Sequence, residues 1–139
     1  MSIKRRLSVI ILIALLIMVS IVGTSCKSNK QAEETGKYGI VIEVKDSKGE
    51  TTSYEMKTDA EFLLQAMDEL AAKDKGFSYS GEDSEYGLMV MYVNEERASF
   101  EEDGAYWALY VNGEYGMNGA DTQPIADGDT YTWTYELAQ

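Results

Sequence analysis

Beyond residue 26, one stretch of the chain repeats its apolar residues with a period near 3.6. Phe62, Leu63, Ala66, Met67 and Leu70 share a face there, and Glu61, Gln65, Asp68, Glu69 and Lys73 fill most of the opposite one. The remaining apolar runs alternate with a period of two or are short and bounded by glycine. A chain with one amphipathic helix and several strands buries both by laying the helix across one face of a sheet. So small a domain cannot spare its helix for a partner, so the apolar stripe is expected to cover the sheet. Thr58 and Glu61 have the spacing of a capping box, which predicts a helix starting just after Thr58 and ending between Lys73 and Gly76.

Around that helix, Tyr38, Ile40, Ile42 and Val44 alternate with Gly39, Val41, Glu43 and Lys45, and residues 46–49 are turn chemistry before a second β-rich run. Residues 38–57 therefore read as a hairpin. Residues 76–85 read as a loop or short irregular strand. Residues 86–93, YGLMVMYV, are apolar on both faces apart from Gly87, which predicts a central strand with Met89 and Met91 filling the core. An acidic connection over residues 94–104 leads to strands at 107–111 and 130–137. In the last strand Thr130, Thr132 and Thr134 alternate with Tyr131, Trp133 and Tyr135. The aromatic face is expected against the helix, which makes Trp107 and Trp133 core anchors. The expected class is α+β: a small β-grasp-like mixed sheet of about five strands covered on one face by a single helix.

The N-terminus differs from this domain. Lys4, Arg5 and Arg6 precede residues 7–22, which carry no charge and only Ser8 and Ser20 as polar interruptions. That is an export signal over residues 1–25, and it ends at Gly23, Thr24, Ser25 and Cys26 in the manner of a bacterial lipoprotein signal. Cys26, the single cysteine, is then the lipidated residue and the anchor to the membrane. An uncleaved transmembrane anchor is the alternative, since residues 7–25 are just long enough to span. Residues 26–36 are polar and aperiodic, a flexible tether, and the domain is expected over residues 37–139. A lone cysteine forms no internal disulfide, so the domain relies on its core. Either anchor places it at the cell membrane, facing outside the cytoplasm.

Trp107 to Tyr110 followed by Val111, Asn112 and Gly113, then Ile125, Asp127, Gly128, Asp129, Trp133 and Tyr135, resemble a known family. They match the pattern W-x-x-Y-V-N-G followed by L-x-D-G-D-x-x-x-W-x-Y, with Ile125 in place of the usual leucine. The pattern is that of bacterial lipoprotein domains related to the C-terminal domain of transcobalamin and intrinsic factor, the DUF4430 group. The resemblance covers residues 37–139 and implies a small β-grasp-like sheet with one helix. In the vertebrate carriers such a domain closes over a corrinoid held mainly by a separate helical domain. The resemblance thus implies a small-ligand binder, with cobalamin or a similar corrinoid as the ligand class and no required cofactor. Independently of the family, Asn112 and Gly113 favour a turn with positive φ. The glycine-rich loop over residues 112–124 leaves Tyr110, Asn112, Tyr115, Met117 and Asn118 as the candidate ligand-binding residues.

Composition narrows the function classes. The chain has no histidine, so the commonest general base and zinc ligand is missing, and no catalytic residue is assigned. The formal charge is -12, and it becomes -15 once the three basic residues of the signal are removed, which disfavours nucleic acid and anionic headgroups as partners. Asp127 with Asp129, or Glu82, Asp83 and Glu85, match no calcium-loop spacing and are expected to form turns or solvated surface. Two readings remain: a membrane-tethered small-ligand binder serving an importer, and an envelope protein-interaction or structural module with no small ligand.

Overall fold

The computed structural model describes residues 35–139; the expected export signal, Cys26 and most of the tether lie outside the described residues. Among the described residues no helix is long and apolar enough to cross a membrane. The elements are β1 (Tyr38–Lys45), β2 (Thr51–Thr58), α1 (Leu63–Lys73), β3 (Tyr79–Ser84), β4 (Gly87–Val93), β5 (Glu96–Arg97), α2 (Phe100–Asp103), β6 (Ala105–Val111), β7 (Glu114–Tyr115) and β8 (Thr130–Leu137).

The main sheet has the order β2-β1-β8-β6-β7. β1 and β8 pair in parallel at its centre, from Val41 opposite Thr130 to Lys45 opposite Thr134, and the flanking pairs are antiparallel. This is the mixed, β-grasp-like sheet expected, and the class is α+β. Its inner face carries Ile40, Ile42 and Val44 from β1, Tyr54 and Met56 from β2, Trp107 and Leu109 from β6, and Tyr131 and Trp133 from β8, all buried in one cluster with Leu63, Ala66, Met67 and Leu70 of α1. The alternation in β8 thus does what its sequence implies: the aromatic set faces inward and both tryptophans are core.

Two expectations are corrected. The helix does not start after Thr58, and Thr58 with Glu61 forms no capping box. Thr58 is the last rung of β2, opposite Tyr38, and its hydroxyl accepts from the Ala60 N–H (2.9 Å) and donates to Glu69 (2.7 Å). α1 begins at Leu63 instead, and the Gln65 side chain reaches back to accept from the Glu61 and Phe62 amides (3.0 and 3.3 Å).

The second correction concerns β4. It is a central strand, but of a separate three-stranded sheet β3-β4-β5, and Met89 is 51 % exposed rather than core. The cause is a register shift. Ser80 faces Tyr92 while Gly81 faces Val90, so Met91 is an extra residue in β4 and the side-chain parity reverses across it. Val90 and Val93, three apart, both face the core as a result. Gly81 permits the close approach, since a Cβ there would meet the Met89 carbonyl oxygen at 2.2 Å. The acidic connection is also more ordered than a loop: Asn94 and Glu95 make a turn with φ of 48° and 67°, and β5 and α2 follow. The Trp107 indole N–H donates to the Glu96 carbonyl (3.1 Å) and ties this small sheet to the main one.

Candidate functional site

Helix α1 covers one face of the main sheet and the other face carries its own chemistry. Period two in β6 puts Tyr106, Ala108 and Tyr110 on that outer face, and in β8 it puts Thr132, Thr134 and Glu136 there. The register sets Tyr106 opposite Glu136, Ala108 opposite Thr134 and Tyr110 opposite Thr132, and Tyr115 of β7 stands opposite Tyr110. Tyr106 donates to one oxygen of the Glu136 carboxylate (3.0 Å) and Tyr110 donates to the other. To reach Glu136, Tyr110 leans along the sheet over Ala108, which is only 2 % exposed although it points away from the core. The Tyr110 and Tyr115 rings meet edge to face, with centroids 5.6 Å apart and planes at 87°.

These contacts hold the phenols protonated. The hydrogen bond to Glu136, followed by burial, pushes Tyr110 up to about 12, and Tyr106 is raised by the same carboxylate, with the Tyr115 hydroxyl contributing. At neutral pH the cluster therefore presents neutral phenols around a carboxylate. It offers ring faces, phenol hydroxyls and a carboxylate that two of those hydroxyls hold.

The candidate residues separate into three groups. Tyr110 and Tyr115 are brought together. Asn112 is spent on structure: its amide donates to Asp129 (2.8 Å) and its carbonyl accepts from the Thr130 N–H (2.9 Å), which pins the end of β6 to the start of β8. Its φ of 51°, with 82° at Gly113, is the positive-φ turn expected there. Met117, 91 % exposed, and Asn118 sit at the apex of the loop with no hydrogen bond that would fix their side chains.

Past that apex the loop docks on the N-terminus of α1. The Gln123 and Ala120 carbonyls accept from the Leu63 and Leu64 amides (2.9 and 2.8 Å), and the Ile125 N–H donates to the Glu61 carbonyl (3.0 Å). Two of the helix's orphan donors are thus satisfied by backbone from the far end of the chain. Tyr131 secures the next turn, accepting from the Ala126 N–H (3.1 Å) and reaching the Pro124 carbonyl (3.1 Å) and Asp129 (3.2 Å) with its hydroxyl.

Sequence reasoning missed Tyr106 and Glu136. The signal was present in the period-two pattern Tyr106, Ala108, Tyr110 and in the charge that ends the threonine face of β8, but only the register shows that they meet. Asp127 and Asp129 tie the turn before β8 to its neighbours: Asp127 accepts from the Gly39 N–H of β1 (2.7 Å) and Asp129 from the Asn112 side chain. Among the described residues, no three acidic or cysteine side chains are placed to hold a metal ion. Two clefts open elsewhere, one of about 310 Å³ beside Gly39, Met56 and Asp129 and one of about 360 Å³ between the turns at Lys48 and Glu95, and the candidate residues line neither.

Comparison with known proteins agrees with this architecture. The family model described as "Domain of unknown function (DUF4430)" matches residues 60–137. Among solved structures, a candidate metal-binding protein from Ruminococcus gnavus ATCC 29149 is 26 % identical, with a TM-score of 0.66 over 74 % of this chain and 100 % of its own. Haptocorrin in complex with Cbi is 16 % identical, with a TM-score of 0.65 over 73 % of this chain. That likeness is one of fold, and the match spans 25 % of the haptocorrin chain. No curated protein matches the sequence.

Proposed function

Because its model spans more than half of the chain, the protein belongs to the DUF4430 family, and from that membership we propose that it is a non-catalytic binding domain for a small ligand, tethered outside the cytoplasm by a lipidated Cys26. The observation that best supports this reading is the corner made by Tyr110 and Tyr115 on a sheet face that the helix leaves open, with Met117 exposed nearby in the chain. Aromatic surface with a polar tip, held in place but left open, suits contact with an amphipathic ligand.

A corrinoid is the first ligand class to test, since haptocorrin, whose fold is similar, is described in complex with Cbi. The domain would supply one wall of such a site, in keeping with the quarter of haptocorrin that it matches, and would hand its ligand to an importer. The absence of histidine and the protonated state of the phenols support a binding rather than a catalytic role. A second reading, an envelope interaction module, draws on β2, an edge strand of the main sheet that is left without an outer neighbour among the described residues and is open to a partner's strand.

Spectral titration of the protein with cobalamin and cobinamide separates the two readings. The ligand reading expects a saturable shift in corrin absorbance, weakened by Tyr115→Ala. No saturable shift at micromolar ligand would sink the corrinoid version, and capture of one membrane protein through the β2 edge would then favour the module.

A further inference from the structure

We infer that Tyr106, Tyr110 and Tyr115, gathered around the Glu136 carboxylate on the open face of the main sheet, form a binding site for a small organic ammonium ion, a quaternary or alkylated amine. This rests on the reading of the Tyr110 and Tyr115 corner as a ligand site and goes beyond the corrinoid version of it, naming a different ligand class and adding Tyr106 and Glu136 to the site.

Charge is the first argument. Among the described residues the salt bridge found joins Arg97 to Glu102, and Glu136 has no cationic partner. Glu43, on the same outer face, is likewise held by hydroxyls, those of Ser53 (3.2 Å) and Thr132 (3.0 Å). Hydroxyl donors fix a carboxylate in place without neutralising it. Lys45, opposite Thr134, shares this face but forms a salt bridge with neither glutamate among the described residues, so the complement that the Glu136 carboxylate lacks is a cation.

Shape and polarity narrow the cation. The perpendicular rings of Tyr110 and Tyr115 make two walls of a corner, Tyr106 stands four residues from Tyr110 on the same face with Ala108 between them, and aromatic faces attract positive charge. Each Glu136 oxygen already accepts from a phenol, which leaves fewer acceptor positions for a sugar or a primary amine that must place several N–H or O–H donors. A cation whose charge is spread over methyl groups needs few acceptors and gains from ring contact. Ala108, between Tyr106 and Tyr110 on this face, is only 2 % exposed, so the floor between them is closed to water.

The test is calorimetric titration of the full chain with choline, with its neutral isostere 3,3-dimethylbutan-1-ol as the matched control. Saturable choline binding is expected, with the isostere about tenfold weaker or worse and Glu136→Gln losing a similar factor. Should Glu136→Gln fail to fold, Tyr115→Ala at an exposed position must weaken choline instead. Equal affinity for choline and the isostere, or choline binding unaffected by Glu136→Gln in a folded protein, overturns the site. Corrinoid titration of the same sample keeps the two ideas apart: choline binding without a corrin shift leaves this site standing and removes the corrinoid, and a corrin shift without choline binding does the reverse.

Discussion

At the scale of single residues, Tyr131 and the two tryptophans show that burial alone does not set what a side chain contributes. Tyr131 is fully buried, yet its hydroxyl ties down the turn between Pro124 and Asp129. Tyr131→Phe keeps the packing and loses those bonds, so urea unfolding should register a loss of about 1 kcal/mol. Burial also pushes Tyr131 up to about 12. An unfolded tyrosine ionises near 10, so the folded state favours the protonated phenol; that stability is intact below about pH 10 and is lost as pH rises toward 12. Unfolding midpoints compared at pH 8 and pH 11 should fall more in the native chain than in Tyr131→Phe. Both tryptophans are buried, but the Trp107 N–H has a carbonyl partner and the Trp133 N–H has none among the described residues. Trp107→Phe should therefore cost more than Trp133→Phe, by about 1 kcal/mol in denaturant unfolding, and the reverse order would count against these assignments. Alternation in the sequence identified both as core; the difference between them depends on where β5 lands and has no local signal.

At the scale of elements, the parts of the fold legible in the sequence are those whose rules are local. The α1 stripe, the turn at Asn112 and Gly113, and the inward aromatic set of β8 all follow from spacing within a few residues. Gly113→Ala, forced to a φ of 82°, should destabilise by about 1 kcal/mol in thermal or urea unfolding. The start of α1 was misread because a capping box is a local rule, whereas the donors at Leu63 and Leu64 find carbonyls in the loop at residues 120–123. Hydrogen exchange should show those two amides as protected as the helix interior; exchange at the rate of a frayed N-terminus would mean the loop does not hold the helix. Met89 was misplaced for a similar reason, since the extra residue at Met91 reverses parity in a run that is apolar on both faces and so carries no sign of the reversal. The Glu136 cluster escaped notice because β6 and β8 are joined only by register, and nothing in either strand names its partner.

At the scale of the whole molecule, the domain divides its sheet between two tasks. One face is spent on the core with α1, and the other holds phenols and carboxylates in fixed positions that α1 leaves open. The acidic balance keeps such a face from anionic surfaces, which is in keeping with the proposed tether beside a membrane. Cys26→Ser should release the protein from the membrane fraction on cell fractionation, and retention would favour an uncleaved anchor. The central claim, that this DUF4430 domain binds a small ligand through the tyrosine corner, is tested most directly by titrating the protein with cobinamide while following the corrin absorbance. The account predicts a saturable shift at micromolar ligand that Tyr115→Ala weakens; a flat absorbance, or a shift indifferent to Tyr115→Ala, would contradict it.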